Sequence, residues 1–212
     1  MDALARHQCM IYEGSPAKHL PGLAALIYGK LKNHYRCLYL NSPAMLQGVR
    51  SYLYAAGVDV AREVRAGALV LTSDQSHLVN GRFDAAKMLD TLVAAVNEAL
   101  NDGHKGLWAS GDMTWEFGGQ QSLDMLLEYE RGLEGVFRQY PALSGICQYH
   151  RDTLPAEAIR TGMHAHQALY INETLSRVNP YYGSAESMAD PGTLEFSARL
   201  DALMHHLTPT AD

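Results

Sequence analysis

Apolar positions along the chain fall alternately into short compact runs and longer stretches with helical spacing. His7–Tyr12 is such a run; it ends at Glu13-Gly14-Ser15-Pro16, a group of turn formers, and reads as a first strand. Leu20–Lys32 then places Leu23, Leu26, Ile27 and Leu31 near one face of a helix. Arg36–Asn41 is a second strand. Ser42-Pro43 supplies an N-cap and a proline at the first helical position, opening a helix that carries Met45, Val49, Tyr52 and Leu53 to a stop at Gly57. Ala68–Thr72 is a third strand and Asp74–Asp84 a loop or short helix. Asp84–Asn101 has the clearest helical pattern, with Ala85, Met88, Leu89, Leu92, Val96 and Leu100 at spacings of three and four and Gly103 just beyond the end.

Gly106–Phe117 opens as a fourth strand, is expected to break at Ser110-Gly111, and then presents Asp112, Met113, Thr114, Trp115 and Glu116 in succession. Ser122–Tyr140 is a helix with Leu126, Leu133 and Phe137 on one stripe. Ser144–Tyr149 is a fifth strand, Pro155–Gly162 a helix and Ala168–Asn172 a sixth strand. Asn179–Gly183 is a turn, and Leu194–Leu207 a last helix. Strands alternating with helices of this length imply a mainly parallel sheet covered on both faces, a three-layer, doubly wound α/β fold. In such sheets ligands lie beyond the carboxyl ends of the strands, which makes Gly106–Phe117 the expected binding segment.

Composition narrows the function classes. The 212 residues suffice for one large domain, and 47% hydrophobic with 19% charged residues is the balance of a soluble globule. No apolar run approaches the roughly 18–20 residues of a membrane helix, and the first residues lack a secretory pattern. Three cysteines (Cys9, Cys37, Cys147) make no disulfide framework and fit a reducing, cytoplasmic setting. A net charge of −6 argues against binding a nucleic-acid backbone and suits a neutral or cationic ligand, or a protein partner.

Strand, glycine turn, helix is also the layout of a nucleotide-binding P-loop. That loop requires GxxxxGK[ST], whose amides cradle phosphate while the lysine and hydroxyl serve phosphate and magnesium. In Glu13–Gly22, Lys18 is followed by His19, the second glycine comes after both, and Pro16 and Pro21 each remove an amide donor. ATP hydrolysis is therefore not expected, although Asp112 stands where a magnesium-holding acid would.

Seven short strings, in order, resemble one family: His7-Gln8-Cys9-Met10-Ile11-Tyr12, Gly57-Val58-Asp59-Val60, Asn80-Gly81-Arg82-Phe83-Asp84, Gly111-Asp112-Met113-Thr114-Trp115, Glu128-Tyr129-Glu130, Cys147-Gln148-Tyr149 and Asn179-Pro180-Tyr181-Tyr182. The chain resembles the MEDS domain, the methanogen/methylotroph sensory domain of DcmR-type regulators, over residues 1–182; residues 183–212 form a C-terminal turn and helix expected to pack on the same domain. The resemblance implies a non-catalytic sensory module binding a small hydrocarbon derivative on a degenerate RecA/KaiC-like scaffold. It also implies signalling through a partner chain or a homodimer, since the DNA-binding or kinase domains often fused to such modules for transcription regulation do not occur in these residues.

Individual residues then carry alternatives. His7 and Cys9, two apart on a strand, share a face. With RecA-like order the first strand is expected between the fourth and fifth, bringing His7, Cys9 and Cys147 together as ligands for a soft metal such as zinc, or as a redox pair. Buried free cysteines packed as small apolar residues are the competing reading, with no cofactor at all. Glu130 falls in line with Leu126, Leu133 and Phe137, so it is expected to be buried, either in an ion pair or as the polar end of a pocket shared with Asp112. The pocket reading predicts that Glu130→Gln changes ligand affinity more than melting temperature. Its walls are assigned to Met113, Thr114, Trp115, Tyr12, Gln148 and Tyr149, with ordinary core packing as the alternative. Cys9 with His7, and Cys147 with His150, are the pairs an enzyme would need, without an activating element; no catalytic residue is assigned. His164 and His166 read as a surface pair. A degenerate ATPase-like assembly scaffold is the remaining class.

Overall fold

A computed structural model describes residues 6–73, 83–114, 123–171 and 175–178, together with 198, 200–202 and 204. The strands are β1 (His7–Tyr12), β2 (Arg36–Asn41), β3 (Leu69–Ser73), β4 (Leu107–Asp112), β5 (Leu143–His150), β6 (Ala168–Ile171) and β7 (Leu175–Val178). The helices are α1 (Leu20–Lys32), α2 (Pro43–Ala55), α3 (Val60–Arg65), α4 (Ala85–Asn101), α5 (Leu123–Gln139) and α6 (Ala156–Ala165), with a 3-10 turn at Pro16–His19. The sheet runs β3-β2-β4-β5-β1-β6-β7; six strands are parallel, and β7 lies antiparallel on the edge.

Each face of the sheet buries its own core. Met10, Cys37, Tyr39, Trp108 and Ile146 pack with Leu23 and Ile27 of α1 and Val49 and Leu53 of α2. Cys9, Ile11, Leu107, Cys147 and Tyr149 pack with residues of α4, α5 and α6 on the other face. Leu200 and Met204 are buried in that second core, in the stretch expected as the last helix. Because side chains alternate along a strand, neighbours such as Gln148 and Tyr149 belong to different cores.

Several expectations change. β1 lies between β5 and β6, not between β4 and β5, because the β4-α5-β5 crossover returns to the position beside β4 and occupies it. β4 does not break at Ser110-Gly111: it pairs on both sides through Gly111, and the Ser110 hydroxyl donates to the Ile146 carbonyl at 2.8 Å. α3 and β7 were not expected. The first is set by Asp59, whose carboxylate accepts from the Arg62 amide at 2.9 Å. α6 runs past Gly162 to Ala165. The loop at 74–82 and the turn at 179–183 lie outside the described residues.

Candidate functional site

At the carboxyl ends of β1, β2 and β4 is a cleft of about 570 Å³, within the size range of small-molecule sites. Tyr12, Asn41 and Asp112 contribute the ends of three strands; Ser42, Ala44 and Met45 belong to the start of α2; Thr114, His150 and Thr153 close the side. Asp112 is buried, and both its oxygens are engaged. Oδ2 accepts from the Tyr12 hydroxyl at 2.6 Å and Oδ1 from the Thr114 amide at 2.8 Å. Burial, and then the Asp112 charge, push the Tyr12 phenol far above its ordinary value, so it stays a donor. Tyr12 stacks on His150, with ring centroids 4.8 Å apart. His150 is locked in turn: Nε2 donates to the Gly14 carbonyl at 2.8 Å, and Nδ1 takes the Thr153 hydroxyl at 3.1 Å. Beneath them Gln148 donates to Ser110 Oγ at 2.8 Å. Against this fixed wall the Thr114 hydroxyl, buried, makes no hydrogen bond among the described residues.

The loop after β1 is turned to other uses. Gly14, at a φ of 76°, gives its amide to Asp152 Oδ2 at 2.7 Å, so the position where a phosphate would be received holds a carboxylate.

The opposite face holds a second polar group. His7 of β1, Glu130 of α5, Cys147 of β5 and His166, just after α6, are all buried, and one ligand-type atom from each lies within 4.8 Å of the others. His7 Nε2 is 3.6 Å from Cys147 Sγ and 3.7 Å from Glu130 Oε2, and His166 Nε2 is 3.6 Å from the same oxygen. Each imidazole is anchored by its other nitrogen, His7 Nδ1 at 3.3 Å from Glu134 Oε2 and His166 Nδ1 at 2.6 Å from the Gly162 carbonyl. Glu130 Oε1 accepts from the Tyr149 hydroxyl. Burial raises the Glu130 carboxyl, and burial followed by His7 drives His166 well down. Beside this group a chamber of about 60 Å³ separates the sheet from α4 and α5, with Met113, Tyr129, Phe137 and Cys147 in its walls.

The expected pocket thus divides in two. Tyr12, Asp112 and Thr114 meet in the cleft, and Gln148 supports its floor. Met113, Tyr149 and Glu130 face the other core, so Glu130 is not the polar partner of Asp112; α5 covers the face that Asp112 turns away from. Trp115 lies outside the described residues. Cys147 meets His7, not His150, because positions three apart on a strand point oppositely. Cys9 is buried beside the second group without belonging to it. His166 is fully buried, not on the surface: the extension of α6 places it against β1. Asn41, Ser42 and Thr153 in the cleft, and Glu134 behind His7, escaped sequence reasoning, since no motif marks them. A larger groove of about 1090 Å³, lined by Arg50, Tyr54 and Asp59 among others, lies at the α2–α3 corner away from the strand ends.

The MEDS family (MEthanogen/methylotroph, DcmR Sensory domain) matches residues 6–167, ending short of the Asn179-Pro180-Tyr181-Tyr182 string. No curated protein matches the chain. Among solved structures, flagellar accessory protein FlaH from Methanocaldococcus jannaschii superposes with a TM-score of 0.59 at 14% identity, covering 86% of this chain and 81% of its own. A KaiC-like protein from Pyrococcus horikoshii OT3 gives 0.55 at 10% identity, covering 79% and 71%. These likenesses show the fold, which is that of KaiC-like, RecA-type proteins. Among the described residues no helix is long and apolar enough to cross a membrane.

Proposed function

We propose, from the premise that this chain belongs to the MEDS family of sensory domains, that it senses a small organic molecule held in the cleft around Asp112. The observation that carries this reading is a buried carboxylate fixed by Tyr12 and the Thr114 amide, beside a Thr114 hydroxyl that has no protein partner among the described residues. A buried hydroxyl without a partner loses free energy that a ligand can return. Pro16, Ala17, Ala44 and Met45 supply apolar walls. The complementary molecule is short and neutral or cationic, with one hydroxyl or amino group on an apolar body. Nucleotides fit poorly, because the Gly14 amide is already bonded to Asp152 and the cleft contains the Asp112 carboxylate. The domain is non-catalytic in this reading. It passes ligand occupancy to a partner chain or a second copy, which requires that the ligand bind two conformations unequally. α2 suits that transfer: its cap position Ser42 lies in the cleft, and its last turns carry exposed Tyr52 and Tyr54.

Isothermal titration of short-chain alcohols and amines against the native protein and Asp112→Asn tests the assignment. The variant is expected to bind about ten- to hundredfold more weakly, the worth of a hydrogen bond to a charged group. Equal affinity in the two proteins would remove the cleft from consideration.

A further inference from the structure

The geometry points to a buried binding site for one divalent transition-metal ion of the zinc class, formed by His7, Glu130, Cys147 and His166 on the face opposite the cleft. Four features support it independently of the sensory reading. The donors are two imidazole nitrogens, one thiolate sulfur and one carboxylate oxygen, the mixture that borderline-soft ions prefer and that magnesium and calcium do not. Tetrahedral zinc with bonds of about 2.0–2.3 Å separates its ligand atoms by roughly 3.3–3.8 Å. Three separations here are already 3.6, 3.7 and 3.6 Å, and none exceeds 4.8 Å.

The outer contacts are the second feature. Metal-bound imidazoles hand their remaining N–H to a carboxylate or a backbone carbonyl, which fixes the tautomer and aims the other nitrogen. Glu134 does this for His7 and the Gly162 carbonyl for His166, leaving both Nε2 atoms facing the centre. Third, Glu130 is fully buried; Tyr149 holds one oxygen, and the other, Oε2, makes no hydrogen bond among the described residues and points at both imidazoles. Fourth, the charges close. Two neutral imidazoles, a thiolate and a carboxylate cancel a doubly charged ion, so the loaded site carries no net charge into an apolar core.

Four protein ligands leave no open coordination position, as in structural rather than catalytic zinc sites. The ion joins β1, near the start of the chain, to the consecutive elements α5 and β5 and the segment between α6 and β6. Cys147 is the thiolate; Cys9, its neighbour across β1 and β5, is not a ligand.

Full-length protein without a histidine tag, stripped of metal and titrated with Co²⁺ alone, tests the proposal. About one equivalent is expected to bind, with the intense visible bands of tetrahedral cobalt and a near-ultraviolet thiolate-to-cobalt band. Cys147→Ser should abolish the thiolate band and Cys9→Ser should keep it. Glu134→Gln, which leaves all four ligands in place, should weaken Co²⁺ and Zn²⁺ about 10- to 100-fold. Absence of stoichiometric binding by the native protein, a spectrum without thiolate character, or a band lost in Cys9→Ser and kept in Cys147→Ser would each overturn the assignment.

Discussion

The Tyr149 hydroxyl reaches Glu130 inside the core, where no water can replace it, and burial with the Glu130 charge holds the phenol well above its ordinary value. Tyr149→Phe removes that donor while preserving the ring that packs against α6. An acceptor left bare in the core costs about 1–3 kcal/mol. At about 2–4 °C per kcal/mol for a chain of this size, melting should fall by several degrees in metal-free protein. Calorimetry of native protein and variant checks this, and an unchanged transition would mean that the Tyr149–Glu130 contact contributes little. Glu130→Gln now carries the opposite expectation to the one drawn from sequence. Its side chain faces the core that Asp112 does not, so affinity at the cleft stays the same. Melting measured with Zn²⁺ falls, because an amide cannot supply the anionic ligand.

Gly162 shows how one helix serves both the cluster and the tyrosine that anchors it. A Cβ at this position would lie 2.6 Å from Cζ of Tyr149, and the same residue's carbonyl receives His166 Nδ1. Gly162→Ala must push α6 off β5 and is expected to destabilise by about 1–3 kcal/mol, measurable by urea unfolding. In the same protein the α6 displacement should also weaken Co²⁺ binding. Elements such as α4 were legible in the sequence because apolar spacing is a local signal. β1, α1 and β2 match their expected bounds, and α4 starts one residue later, at its Asp84 cap. Strand order was not local information. Nothing within His7–Tyr12 says which strands flank it, and so Cys147 could be placed beside His7 while β4 was wrongly put at its other side. Parity alone would have divided the expected pocket, since Gln148 and Tyr149, both assigned to its walls, are consecutive on a strand and cannot line one pocket. The position of Glu130 was not legible, because its helix shows that the residue is buried without showing which face of the sheet the helix covers. His166 was missed for a related reason. It is a core residue because the extended α6 and the pairing of β6 with β1 together set it against β1, and that pairing joins segments about 160 residues apart.

Across the whole molecule the two groups are separated twice. His7 and Tyr12 stand at opposite ends of β1, about 17 Å apart at the usual rise per residue, and they point to opposite faces. The cleft is open and lined by hydroxyls, a carboxylate and short apolar side chains, whereas the cluster is sealed by Phe137, which stacks on His7 at 4.4 Å. A division between one rigid, closed centre and one accessible cleft is what a sensor needs if ligand binding is to move only part of the fold. Free-energy changes from the two places should then add. Asp112→Asn and His166→Gln lie on opposite faces of the sheet, and variants at such independent sites combine to within about 0.5 kcal/mol. Urea unfolding of the native protein, both single variants and the double variant, all without metal, gives the coupling directly. A coupling energy above about 1 kcal/mol would show that the faces communicate through β5, which carries Cys147 and Tyr149 on one side and Gln148 and His150 on the other. In that case the cluster would belong to the sensing mechanism instead of only supporting the fold, and ligand affinity at the cleft should then depend on whether Zn²⁺ is bound. With additive energies, cleft affinity stays the same in the presence and absence of Zn²⁺.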